Sequence, residues 1–265
     1  EEEREREKEG TAPMTRSGTE RERESPVFSS MVATPLGRAT ALSGISPRDA
    51  LPVLVSLQNA RQRLVLRTPL HALFLATPPS PPIEPRWTSF EAVVSALLAD
   101  HQDTRPTLTL LGVCPAELCR FKHNPPRYGC DKPRTCFYRR LYASVILFSL
   151  VQEMPLNRVA ALLEVKRGQL QQLQKEAAAF CGMAIVFCRA LNWSSLSSVL
   201  LSYAPRLSSC ARPELLPLVR LGPEMPAFRA RAFYRSGLST VREIVRADLS
   251  VLVQTLVRER ERESE

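Results

Sequence analysis

The chain has 265 residues, 44% of them apolar, enough to bury a real core and to hold one or two compact domains. Its formal net charge is +9, but residues 1–25 hold 6 basic and 9 acidic side chains and 258–265 hold 3 and 4, so the segment between has 27 basic against 14 acidic, a net +13. That excess favours a polyanionic partner, the longest apolar run, Leu141–Val151, is too short to span a bilayer, and seven cysteines without a secretory pattern predict reduced thiols in a reducing compartment.

Residues 1–25, with EEEREREKE and RERE, have almost nothing apolar to bury and predict a charged tail, disordered or a solvated helix. In the next unit, 26–77, Thr34-Pro35 and Ser46-Pro47 each place a hydroxyl before a proline that needs no amide partner, which marks two helix starts. Asp49 makes the second a capping box. Ala50, Val53, Leu54, Leu57 and Ala60 then recur at helical spacing, whereas Leu64–Leu75, interrupted by Thr68-Pro69, reads as a short hairpin. Helix, helix and hairpin together predict the end of a winged helix.

The PPSPP run opens a proline-rich linker at 78–87, since consecutive prolines stop both helix and ladder. A helical domain follows at 88–205. Thr88 and Glu91 form a capping box for a helix to about Ala99, 107–122 reads as a short helix, 123–135 as a polar loop and 136–152 as a long buried helix. Pro155–Val165, the turn Lys166-Arg167-Gly168 and a helix from Gln169 to Asn192 make a helix-turn-helix pattern, with Gly168 free to take the positive φ of the turn.

On that long helix, 100° per residue places Gln171, Lys175, Ala178, Gly182 and Arg189 within about 40° of one line, with Leu173, Phe180, Ala184, Phe187 and Leu191 opposite. The first stripe is basic at its ends and small in its middle, so a nucleic-acid backbone can come close. The second stripe is core.

The last unit, 206–257, holds short helices near 212–220, 226–236, 240–247 and 248–257, broken by Gly237 and a Thr240/Glu243 capping box. Within it, LVRLGPEMPAFRARAFYRSGL at 218–238 looks like a helix-hairpin-helix, which would aim Arg229, Arg231 and Arg235 at a phosphate. Only Gly222 keeps the usual glycine pattern, and Pro223 and Pro226 remove two amides, so a structural hairpin with solvated arginines is the other reading. Residues 258–265 form a second charged tail.

No Gly-Lys dipeptide occurs, so the GxxxxGK[ST] phosphate loop is absent, and there is no Asp-Glu pair for a magnesium box. No HExxH, GxSxG or paired-carboxylate pattern suggests a catalytic group, and His71 reads as structural. Cys114, Cys119, His123, Cys130 and Cys136 could supply four zinc ligands, but their spacings are looser than a paired knuckle and favour no metal.

The stretch PLNRVAALLEVKRGQLQQLQKEAAAFCGMAIVFCRALNW at 155–193, with RARAFYRSGLSTVREIVRAD at 229–248 and the closing LHALFLATP at 70–78, resembles the region after the motor in polymerase-theta-type superfamily two DNA helicases. The resemblance covers most of 33–257. It implies a nuclear, DNA-repair setting and two RecA-like motor domains upstream, where ATP and magnesium would act, since the chain opens on Glu1 and holds neither site. It also implies that the long helix is a ratchet helix running beside single-stranded or forked DNA. In that register Phe180 falls at the stacking aromatic, where archaeal relatives have tryptophan, although its helical angle sets it among core residues. The family's basic residue one or two turns earlier is missing from Gln171–Gln174, which leaves phosphate grip to Lys175 or Arg167.

The expectation is therefore an all-α chain: a winged-helix remnant, a helical bundle with a ratchet-like helix, and a C-terminal helix-hairpin-helix-like domain. It binds and guides DNA, and has no activity of its own without a motor. The rival is a helical module that docks on a protein partner or motor and touches no nucleic acid; neither reading involves a membrane.

Overall fold

The computed structural model describes residues 32–65, 68–100 and 102–264, with the backbone alone for 260–264. The charged tail expected at 1–25 lies outside them. The described residues hold fourteen α-helices and no strand: α1 (Pro35–Ser43), α2 (Pro47–Arg63), α3 (Leu70–Ala76), α4 (Trp87–Ala99), α5 (Thr104–Leu111), α6 (Pro115–His123) and α7 (Pro133–Val151), then α8 (Leu156–Leu162), α9 (Arg167–Ala190), α10 (Ser194–Ser209), α11 (Leu216–Val219), α12 (Ala227–Arg235), α13 (Val241–Arg246) and α14 (Leu249–Ser264). The fold is all-α.

Helix α7 is buried on every side from Tyr138 to Leu147, as a helix without a polar face must be. Most of its buried polar groups find internal partners, with the Arg139 Nε an exception. Tyr142 donates its hydroxyl to the Leu163 carbonyl at 2.8 Å, and Arg140 donates to the carbonyls of Thr77 at 2.9 Å and Leu75 at 3.3 Å, which end α3. Helix α9 packs on α1, α3, α7, α8 and α10, and so ties the first helices of the chain to the bundle.

Among the described residues the hairpin expected at 64–75 is not formed. Pro69 instead precedes α3, and all seven residues from Leu70 to Ala76 are buried. A short apolar run fits a buried helix as well as a strand, and contact with α7 and α9 decides for helix. Residues 78–86 form no helix, and Pro81, Ile83 and Pro85 among them are buried.

Two of the expected caps form and two do not. Thr34 accepts the Gly37 N–H at 3.0 Å, and Thr240 accepts the Glu243 N–H while Glu243 accepts the Thr240 N–H. Ser46 makes no side-chain cap bond. Helix α4 begins at Trp87, one residue before Thr88, and Glu91 turns to Ser95 and Lys122. The span read as one helix at 107–122 is two, α5 and α6, divided by Gly112 at φ 80° and by Pro115. Gly168 lies inside α9, and Glu164 takes the left-handed turn at φ 52°. At the other end α14 runs on through the Arg-Glu repeat to Ser264, a sequence of good helix formers.

His71 is buried, and its Nδ1 accepts the Val65 N–H at 3.2 Å, so the neutral ring holds its proton on Nε2. Burial lowers its pKa to about 4. A folded pKa below the unfolded value means that the unfolded chain takes up the proton first as pH falls. Stability is therefore expected to be complete above about pH 6.5 and to fall by about 3 kcal/mol between there and about pH 4. Urea titrations across that range in wild type and His71→Gln check this: the variant should lose much of the slope, and equal slopes would count against it.

Candidate nucleic-acid interface

The long helix α9 sorts its residues into two faces. Gln171, Lys175, Gly182 and Arg189 are exposed and Ala178 is half-buried. Leu173, Phe180, Ala184 and Phe187 are buried in the large core cluster, with Leu191 packed against it. Phe180 is 7% exposed, so its ring belongs to the packing between α9 and its neighbours. The exposed face runs about 33 Å from Arg167 to Arg189 at 1.5 Å per residue.

Among the described residues, the side chains of Arg167, Gln171, Lys175 and Arg189 have neither ion pair nor hydrogen bond. The charge of Arg167, Lys175 and Arg189 is available to a ligand. Between them the surface is small and weakly polar, since Ala179 and Gly182 stand open and Met183 and Val186 are 37% and 39% exposed. No Cβ or longer group at Gly182 fills the middle of the stripe, and nothing stands within 4 Å of where one would be.

The arginines of α12 are placed differently. Arg229 donates to the Glu224 carbonyl at 2.8 Å, and exposed Arg235 meets Glu259 at 3.1 Å. Arg231 is the most enclosed. Its guanidinium bonds Glu153 at 2.5 and 2.7 Å and Glu214 at 2.9 Å. The Glu153 hydrogen bonds hold its pKa above the ordinary arginine value, with Glu214 adding to them against the cost of burial. Burial pushes the Glu214 carboxyl up, but the Arg231 hydrogen bond and charge outweigh it and leave the group below its usual value. Where the first arm of the expected hairpin would lie, the chain forms a 3₁₀ turn at Pro213–Leu215 followed by α11, and Gly222 at φ 145° opens the link to α12.

The core divides into two clusters. One spans Ala39 to Leu207, and the other, Ala211 to Phe233, is much smaller. Glu153, at the end of α7 with φ 64°, joins them by accepting both Arg231 and the Arg212 N–H.

The family model described as the DNA_pol_Q helicase like region helical domain matches residues 47–207, which is most of the larger cluster and all of α9. The chain belongs to this family. It is 32% identical over 227 residues to DNA polymerase theta of Drosophila melanogaster, covering 86% of this chain and 11% of that protein. It is 32% identical over 219 residues to DNA polymerase theta of Mus musculus, covering 81% and 8%. Helicase POLQ-like of Homo sapiens is 26% identical over 227 residues, covering 84% and 20%. The chain thus spans from under a tenth to a fifth of the length of these relatives.

Among the described residues no three histidines, cysteines, aspartates or glutamates gather to hold a metal, the zinc arrangement around Cys114 to Cys136 included. No helix there is long and apolar enough to cross a membrane. One aromatic beside α9 had no signal in the sequence: Trp193, just past its C-terminus, stacks with Arg61 of α2.

Proposed function

We propose that this helical region steers and holds single-stranded or forked DNA for a helicase motor, in the nucleus and in DNA repair. The observation that carries the reading is the exposed stripe of α9, with Arg167, Lys175 and Arg189 unpaired among the described residues along one face and the core behind it. Unpaired cations release the counterions of a phosphate chain when they bind it, and small residues between them let that chain approach. ATP and magnesium belong, on this reading, to RecA-like domains of the longer protein that the relatives' lengths suggest. The family membership and the net +13 between the two tails support the same conclusion.

Met183 and Val186, partly exposed along the side of that face, favour a second reading, docking of α9 on a protein partner. Salt separates the two. Fluorescence anisotropy with a labelled single strand should show binding that weakens steeply as salt rises, because phosphate contacts depend on counterion release. Lys175→Ala with Arg189→Ala should reduce affinity about tenfold or more at low salt and flatten the salt slope, while the melting temperature stays nearly unchanged, since exposed charges add little stability. Absence of binding at low salt, or binding insensitive to both substitutions, would sink the DNA reading.

A further inference from the structure

Beyond the last exposed cation of α9, the surface holds a cavity of about 280 Å³. Arg61, Leu64, Asn192, Trp193, Ser194 and Ser195 line it. The Arg61 guanidinium carbon stands 4.6 Å from the centroid of the Trp193 ring. The cavity begins at once after α9, where Asn192, left-handed at φ 59°, donates its N–H to the Arg189 carbonyl at 3.0 Å. Among the described residues the side chains of Arg61, Asn192, Ser194 and Ser195 have no hydrogen bond or ion pair, so donors and acceptors stand unused around a stacked pair.

We propose that this cavity receives one unpaired nucleobase of the strand guided along α9. The inference rests on the reading of α9 as a strand-guiding helix and adds to it a site for a base. Aromatic rings and guanidinium planes are the protein surfaces on which splayed bases stack, and here one of each stands side by side, the Arg61 guanidinium over the Trp193 ring. The open Asn192 amide and the Ser194 and Ser195 hydroxyls can bond the polar edge of any base, which suits a guide without sequence preference. Size agrees: pockets that enclose a whole drug-sized ligand run about 300–1,000 Å³, and this one, just below that, fits a single ring system with its phosphates left outside. Phe180 is buried and cannot supply such a platform, whereas Trp193 is half-buried beside open space.

The chain has two tryptophans, so Trp87→Phe leaves Trp193 as its one indole fluorophore. In that variant an oligothymidylate should quench fluorescence saturably, over the same concentrations at which anisotropy reports binding, and a strand of equal length without bases should bind about tenfold more weakly and quench nothing. Arg61 is exposed, so Arg61→Ala should fold normally, weaken the strand with bases about tenfold and leave the abasic strand within about twofold. Binding of the normal strand without quenching, or equal loss for both strands in Arg61→Ala, overturns the base site while leaving strand guiding intact. If neither strand binds the wild-type chain, strand guiding fails and the base site fails with it.

Discussion

Phe180→Ala is expected to lower the stability of the chain by about 3–5 kcal/mol, the range for truncating a large aromatic in a packed core. The ring is 7% exposed and lies in the cluster shared with Leu173, Ala177, Ala184 and Phe187, so the substitution opens a cavity that α1, α3 and α10 cannot close without moving. Chemical denaturation followed by circular dichroism measures the loss. At a temperature where the variant is still folded, its affinity for single strands should match wild type within about twofold, because Lys175 and Arg189 remain in place on the opposite face. A variant that melts normally and loses DNA binding would reverse this assignment and restore the stacking role that family register suggests for position 180.

The two faces of α9 were legible in the sequence because a 24-residue helix repeats its pattern many times, and each repeat confirms the angle of the one before. The burial of Phe180 followed from that angle alone, in the face of a family register that put it on the DNA side. Helix α7 was legible for a similar reason, an apolar run bounded by charge. What failed was short. The seven residues of α3 contain fewer than two full turns of pattern, and their helix is decided by burial between α7 and α9, which no local signal records. Gly168 was misplaced because glycine permits a positive φ without requiring it, and the turn found its left-handed residue at Glu164. Caps at Ser46 and Thr88 were read from residue type; Ser46 does stand before α2 but makes no side-chain bond, and α4 starts one residue before Thr88, a shift within the usual scatter of helix ends.

The candidate site divides along the same line. Exposure on a regular helix was predictable, and Gln171, Lys175 and Arg189 lie where their spacing put them, whereas Arg167, read as part of a turn, is the first residue of α9. The partners of Arg231 and Arg235 were not predictable, because Glu153 and Glu259 come from other helices or their ends. Trp193 and Arg61 are likewise joined only by the fold, on helix ends far apart in sequence.

Arg231→Ala is expected to destabilise the chain by up to about 3–5 kcal/mol, since removing one partner of an enclosed ion pair leaves the other charges without compensation. Arg231 and Glu153 are 15% and 16% exposed in their side chains, and Glu214, at 34%, is the one partner that water can largely rescue. The loss should be uneven along the chain. The smaller cluster has five buried apolar residues, too few to hold itself, and Glu153 is the point at which Arg231 and the Arg212 amide fasten it to α7. Limited proteolysis should therefore cut the variant first near residues 208–213, leaving a fragment that still includes α9, before the larger cluster melts. Arg231→Lys should recover only part of the stability, because a single ammonium cannot bond two carboxylates in the fork that the guanidinium spans. Acid should mimic the substitution: the Glu214 carboxyl sits below its usual value in the folded chain, so its contribution is present above the ordinary carboxylate pKa and fades as pH falls through the lowered one. An Arg231→Ala variant that melts in one transition at the wild-type temperature, with unchanged cleavage, would show that apolar contact alone joins the two clusters.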